Sequence, residues 1–336
     1  MRRPTLSKQT KTSFSTNAAL PLVIVNPKSA SGTTRDNWPG IASDLRAHFG
    51  AYNVAFTKAA GDGVGLAKHA CESGRNFIIV CGGDGSINEA ANGILQSGRD
   101  VELGVMPSGT GGDFRRSLGL PQSSRDAARV LRDGRTKTID VGKITFQDFQ
   151  DKTVSRYFLN VSSFGLAASI IERVKSSSAL DWLPLAGVRG RASFALSTLQ
   201  ELIGLDFVTV RIKIDGNDEK NLNTVNFCIA NARYFGGGMK IAPEAKLNDG
   251  FLDVVNIGDI RTAKVLLNAY TLYNGTHLEL KEVKSTLARK VEARPANSGS
   301  EVHIEVDGEL LGKLPAIYEI VPKVLKVRVP KSEGRA

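Results

Sequence analysis

The sequence predicts two domains, an α/β unit followed by a mainly antiparallel β unit, and three observations carry that expectation. From Leu20 to Asp140 apolar runs alternate with helix-like stretches, the rhythm of a parallel sheet covered by helices. From about Ile144 strand-like segments outnumber helices. Glycine-rich loops stand where two early strands end, the place where open α/β sheets bind ligands. At 336 residues the chain is long enough for both units. The expected limits are a tail over 1–18, an α/β domain over 19–143 and a β domain over 144–315.

The elements follow in order. "LPLVIVNPKSASG" reads as a buried strand ending in a turn, and a helix-like stretch runs from about Trp38 to Phe49. "AYNVAFTKAAGDG" is a second strand with its loop, "VGLAKHACES" a second helix, and "NFIIVCGGDGS" a third strand and loop. Ser86 and Glu89 have the S-x-x-E spacing of a capping box, and Ile87, Ala90, Ala91, Ile94 and Leu95 recur on one face of the helix that follows. "VELGVMPSGTGGDF" is a strand feeding a second glycine loop. "SSRDAARVLRDG" is a helix that Gly134 stops. Beyond it, "RYFLNVSSFG", "DFVTVRIKIDG", "NTVNFCIANA", "GFLDVVNIG", "EVHIEVDGE" and "KVLKVRVP" are strands, with helices at roughly 187–203 and 261–274.

Composition removes several function classes. The longest apolar runs, "LPLVIV" and "FIIVC", are too short to span a bilayer, and Met1 to Asn17 lacks the apolar stretch of a signal peptide. That segment holds Arg2, Arg3, Lys8 and Lys11 without an acid, as a disordered basic tail or an organelle-targeting segment would. Cys71, Cys81 and Cys228 lack paired or metal-like spacing and read as buried thiols of a reducing compartment. His48, His69, His277 and His303 form no zinc pattern. The net charge of +10 suits nucleic acid, an anionic membrane or a polyphosphate. No basic stretch alternates with aromatics and no helix-turn-helix or zinc finger is present, so nucleic acid is not expected.

Five stretches carry chemistry. In "GGDGS", Gly82, Gly83 and Gly85 surround Asp84 between a strand and a helix. Successive N–H groups and the helix N-terminus there suit phosphate, while the acid suits an accompanying metal ion or a hydroxyl proton. "PSGTGGDF" is a second such loop with Thr110 and Asp113; the alternative is a glycine hinge. "TIDVG" puts Asp140 at the domain junction. "YFGGGMKIAPEAKLNDGFLD" brings Asp249 and Asp253 around Gly250, as a cation loop or a turn. In "EVDGELLG" the Asp-Gly pair reads as a hairpin turn, with Glu309 just beyond it.

Taken in this order, the motifs resemble those of the diacylglycerol kinase catalytic family, which includes sphingosine and ceramide kinases and the bacterial soluble diacylglycerol kinases. The resemblance runs from "VIVNPKSASG" at 23–32 to "VRVP" at 327–330. It implies an α/β nucleotide-binding domain like those of NAD kinases and phosphofructokinases and a C-terminal β-sandwich. It also implies that the last strand, about 316–330, returns to the first domain. By resemblance Asn26, Thr57, Gly82, Gly83, Asp84, Gly85, Ser86, Asn88, Gly109 and Thr110 bind the nucleotide. Asp84 and Asp140 join a water-mediated magnesium network, and Glu309 is the catalytic acidic residue. The backbone oxygens of Lys246 and Phe251 with the Asp249 carboxylate form a structural magnesium site. One departure is the second loop, Gly109-Thr110-Gly111-Gly112-Asp113-Phe114, where the bacterial pattern is G-T-A-N-D-F.

The implied function is ATP- and magnesium-dependent phosphorylation of a lipid hydroxyl such as that of diacylglycerol; Glu309 is the base by the bacterial resemblance, with Asp84 beside phosphate and metal, and Asp84 is the base by that to the sphingosine kinases. Two rivals stand beside it. One is an NAD kinase-like phosphotransferase with a soluble acceptor, and the other a nucleotide or lipid sensor without turnover. The expected setting is cytoplasmic, at an anionic membrane surface that Arg115 and Arg116 could face; the stretch 180–194 has an interfacial flavour but reads first as a helix packed in the core. A homodimer is left open.

Overall fold

The computed structural model describes residues 20–108, 112–176, 207–258, 260, 264–265, 268–297 and 299–331. The basic tail, Gly109, Thr110, the stretch 180–194 and the expected helix at 187–203 lie outside the described residues. So does much of the helix expected at 261–274, of which a short helix at Thr271–Asn274 is described.

The first domain is a doubly wound sheet. Its strands β1 (Leu22–Val25), β2 (Asn53–Phe56), β3 (Phe77–Gly82) and β4 (Glu102–Pro107) pair in parallel in the order β2-β1-β3-β4. Every residue of β1 and β3 is buried, which is why both read as unbroken apolar runs rather than alternating ones. Helices α1 (Thr33–His48) and α5 (Ser124–Asp133) cover one face through Ile41, Leu45, Ala127 and Leu131. On the other face α2 (Asp62–Glu72) and α3 (Asp84–Ser97) pack Ala67, Ala70, Ile87 and Ile94. The first helix begins at Thr33, ahead of the expected Trp38, because Gly32 takes the left-handed conformation (φ 92°) that starts it and Pro39 is tolerated inside it.

Two long strands, β5 (Arg135–Asp148) and β15 (Glu309–Val329), run antiparallel through both domains. Lys326 and Val327 of β15 pair in parallel with Glu102 and Leu103, so the last strand does return to the first sheet. Its pairing with β5 shifts register between Val321 and Leu325, and there the chain crosses from one domain to the other.

The second domain packs two antiparallel sheets that share β15. One runs β12 (Val283–Ala288), β11 (Leu252–Ile257), β10 (Asn226–Ala230), β7 (Val161–Gly165), β14 (His303–Val306), then the start of β15. The other contains β9 (Lys220–Thr224), β8 (Val208–Ile214), β13 (Lys290–Pro295), β15, β5 and β6 (Thr153–Phe158). Phe158, Phe164, Phe227 and Tyr318 fill the space between them, with Phe164 and Phe227 stacked at 5.1 Å.

Asp140 latches the junction. It is fully buried on β5, and its two carboxylate oxygens accept the N–H groups of Gly250 and Lys323, each at 2.7 Å. Lys323 sits at the register shift of β15 with a left-handed φ of 52°, and Gly250 lies in a second-domain loop. Replacing Asp140 by Ala leaves both N–H groups without a protein acceptor. The expected cost is about 2–4 kcal/mol in chemical denaturation, against a near-neutral result if the acid has no structural role.

Candidate active site

One side of the candidate site is built by the turn from β3 into α3. A Cβ on Gly82 would stand 2.7 Å from both Cβ and Oγ of Ser86, so the tight turn excludes any larger residue. Ser86 does not cap the helix. It lies in the first turn of α3, where its Oγ accepts from Asn26 Nδ2 at 2.9 Å, while Asn26 Oδ1 accepts the Lys28 N–H at 3.0 Å. Glu89 turns away to accept the N–H groups of Gly61 and Gly63, both at 2.8 Å, at the start of α2. The expected capping box therefore does not form: its two side chains tie neighbouring loops to α3 instead. Asn26, Lys28, Ser29, Thr57 and Ser86 line a polar cavity of about 270 Å³ that also includes Gly83, Gly85, Glu89 and Glu309. The N-terminus of the 14-residue α3 opens on it and lends partial positive charge.

Asp84 acts as an anchor. Its Oδ2 accepts the N–H groups of Gly112 (2.9 Å) and Asp113 (3.0 Å), and its Oδ1 that of Phe114 (3.0 Å). These N–H groups open the short helix α4 (Asp113–Ser117), so one carboxylate holds the end of the second glycine loop against the first. Asp113 is buried, bonded to Arg116 Nη1 and to the Gly237 N–H at 2.8 Å each. Burial pushes its carboxyl up, against the pull of those two donors. Arg115 Nη1 donates to the Leu120 carbonyl at 2.8 Å. Each arginine thus has a partner within the protein through one guanidinium nitrogen.

A second cavity, of about 920 Å³, lies on the other side. Leu166, Ala167 and Ile170 of α6 (Leu166–Ser176) line it with Val225, Leu272 and Leu280, so most of its wall is apolar. Asp84, Asp113, Asn160, Glu305 and Asp307 line it as well, with Asn226, Asn268, Thr271 and His277 among its other polar residues. Asp307 and Gly308, with φ of 48° and 86°, form the two-residue turn of the β14–β15 hairpin, the type I′ geometry that Asp-Gly favours. The Asp307 carboxylate accepts the N–H groups of Leu159 (2.8 Å), Asn160 (2.8 Å) and Val161 (3.1 Å) and Asn88 Nδ2 (2.7 Å). Glu305 accepts from Ser163 Oγ (2.7 Å) and from the Gly308 N–H (2.9 Å).

The two cavities share an edge. Asp84 faces the large one while Gly83 and Gly85 face the small one, and Asp307 and Gly308 face the large one while Glu309 faces the small one. A Cβ on Gly85 would stand 3.4 Å from Glu309 Oε1, which sets the Glu309 carboxylate beside the first glycine loop.

Not all expected residues converge here. Asn26, Thr57, Gly83, Asp84, Gly85, Ser86 and Glu309 do. Gly82 shapes the turn behind them. Asn88 lines neither cavity; its Nδ2 also reaches the Tyr157 carbonyl at 2.9 Å and so ties α3 to β6. Asp140 lines neither, with both oxygens bonded to backbone. Lys246, Asp249 and Phe251 form a separate loop, where the Asp249 carboxylate accepts the Phe251 N–H at 3.1 Å. Beside it, Asp253 is pushed up to about 6 by burial and by the like charges of Asp249 and Glu244. In sequence Asp307 is marked only as a turn residue, and the place of Glu305 in an alternating strand signals a solvent-facing charge.

Burial pushes Glu305 from 4.5 up to about 7. Its folded-state value lies above the unfolded one, so its contribution is full below pH 4.5 and is lost as pH rises to about 7. Relative to the wild type, Glu305→Gln is expected to gain up to about 3 kcal/mol between pH 5 and pH 8. Denaturant midpoints across that range measure it, and parallel curves would place the Glu305 shift elsewhere.

Comparisons with known proteins agree with this architecture. A model of the diacylglycerol kinase catalytic domain matches residues 21–144, and one of the YegS C-terminal NAD kinase beta sandwich-like domain matches residues 161–329. A diacylglycerol kinase of Mycobacterium tuberculosis is 31% identical over 92% of this chain and 94% of its own. One from Bacillus subtilis is 29% identical over 83% of this chain and 86% of its own. A solved structure from Bacillus anthracis str. Sterne, 27% identical, covers 92% of this chain and 97% of its own with a TM-score of 0.71. With both domains matched in order and relatives aligned over most of its length, the chain belongs to the diacylglycerol kinase family, a family of lipid kinases.

Proposed function

We propose that the chain transfers the γ-phosphoryl group of ATP to a hydroxyl of a lipid such as diacylglycerol. The observation that carries this reading is the shared edge, at which residues 83–85 and 307–309 each contribute to both a polar and an apolar cavity. A phosphoryl donor in the small cavity and a lipid hydroxyl in the large one meet along it. The apolar wall also favours lipid over a soluble dinucleotide acceptor.

Phosphoryl transfer depends on positioning and charge neutralisation more than on covalent help. Asn26, Lys28, Ser29, Thr57 and Ser86 hold the nucleotide, the α3 N-terminus favours its phosphates, and Gly109 and Thr110 belong to the same grip by resemblance. Glu309, beside Gly85, accepts the proton of the lipid hydroxyl. Asp84 keeps the second glycine loop in place and adds its charge near the phosphates. Peripheral contact with an anionic bilayer suits the net charge of +10, and among the described residues no helix is long and apolar enough to cross a membrane.

Among the described residues no group of three acid, histidine or cysteine side chains converges on a metal position. Asp84 and Asp113, whose carboxylates retain lone pairs beyond their present bonds, would be the residues to hold a magnesium ion near the phosphates. When bound, such an ion neutralises charge on the transferring group. In the second domain, Asp249 with the carbonyl oxygens of Lys246 and Phe251 would hold another. The crowding of Glu244, Asp249 and Asp253 is the charge pattern a cation relieves.

Incubation with γ-labelled ATP, magnesium and diacylglycerol in mixed micelles is expected to yield labelled phosphatidic acid. Label in a soluble acceptor alone, or ATP binding with no transfer, would support the NAD kinase-like or the sensor reading instead. Glu309→Gln is expected to lower kcat by about 10²–10⁴-fold with an unchanged far-UV spectrum, and wild-type turnover in that variant would remove Glu309 as base. Magnesium is expected to raise Tm saturably in the wild type but not in Asp249→Ala. An equal rise in both would move the structural cation elsewhere.

A further inference from the structure

Glu305 has no part in the transfer just described, yet its placement is unlike that of an ordinary strand residue. It is 3% exposed, and its side chain lines the large cavity. Its flanking residues Ile304 and Val306 point into the sandwich core, so alternation turns Glu305 to the opposite face of the sheet. Two donors from different elements fix its carboxyl group: Ser163 Oγ on β7, at 2.7 Å, and the Gly308 N–H, at 2.9 Å. The other titratable groups that interact with it are Asp307 on its own hairpin, Cys228 on β10 and Tyr318 on β15.

The bond to Gly308 is the informative one. Gly308 is the second residue of the two-residue turn, between Asp307, which faces the large cavity, and Glu309, which faces the small one. A tight turn is hinged at its strand ends, so a restraint on its tip sets the angle at which the following residue leaves it. Asp307 restrains the first half of the turn through the N–H groups of residues 159–161. Glu305 restrains the second half, and Ser163 restrains Glu305.

We propose that Glu305 is a positioning residue for Glu309: from the wall of the acceptor cavity it clamps the Gly308 N–H and fixes how the turn presents the Glu309 carboxylate to the phosphate cavity. This rests on the reading of Glu309 as the base. The carboxyl group acts here as a hydrogen-bonding bridge, and a carboxamide can make the same bridge. Glu305→Gln can accept from Gly308 through its oxygen and donate to Ser163 Oγ through its nitrogen. Glu305→Ala can do neither.

The test compares the wild type with both variants in the micelle assay and follows amide hydrogen exchange at Gly308. The expected result is near-wild-type turnover for Glu305→Gln. For Glu305→Ala, kcat is expected to fall by about 100-fold, the scale of a misplacement near 1 Å, with the KM for ATP unchanged and exchange at Gly308 accelerated. Ser163→Ala is expected to fall between the two. Undiminished turnover in Glu305→Ala overturns the proposal. Equal losses in Glu305→Gln and Glu305→Ala also overturn it, because they assign the effect to the charge and not to the bridge. If Glu305→Ala does not fold, Glu305→Asp, whose carboxylate stops a methylene short of Gly308, carries the same comparison. Absence of lipid phosphorylation by the wild type itself would overturn the role assigned to Glu309. It is told apart from failure of the clamp by the exchange measurement, which does not depend on turnover.

Discussion

Two carboxylates that gather backbone N–H groups from distant loops hold the site together. Asp84 takes three from residues 112–114, and Asp307 takes three from residues 159–161. Each stands in a turn next to glycine and binds N–H groups of another segment, so four pieces of chain meet in one place. A buried N–H left unmade is costly, and a charged acceptor makes the strongest replacement. The edge between the cavities is therefore a consequence of satisfied backbone, not of side-chain packing alone.

The strands β5 and β15 give that arrangement its fixed frame. Both belong to both domains, and the Asp140 latch closes on β15 where it crosses. A hinge between domains would need a flexible linker, but here two long paired strands and a buried carboxylate stand in its place. The two cavities, which draw on both domains, are thus built around strands that the domains share. A shared frame of this kind suits a transfer with little covalent assistance.

Legibility in the sequence varied from residue to residue. The βαβα rhythm and the first glycine loop were local signals, and both correspond to observed elements, whereas the change expected at about Ile144 falls inside β5, which runs unbroken from Arg135 to Asp148. The Ser86–Glu89 spacing was also local and misled, because both side chains found partners in other loops at better geometry. Asn88 and Asp140 stood in motifs that implied ligand contact; in the structure they line neither cavity, and each ties separate segments of the chain together. Arg115 and Arg116 looked like surface charges beside a loop, and both fold back onto their own neighbourhood.

What the sequence determined by itself were the elements, their order and the chemistry available at strand ends. Periodicity, glycine and proline act over a few residues and need no partner to be read. Only the tertiary structure decided which side of the sheet became solvent and which became cavity. Glu305 shows the difference: in "EVHIEVDGE" it occupies a polar position of an alternating strand, yet it is buried, on a cavity wall that it shares with Leu166, Ile170, Leu272 and Leu280. Which polar atoms would be used up internally was likewise a matter of long-range geometry. No local pattern encodes where a distant N–H will come to rest.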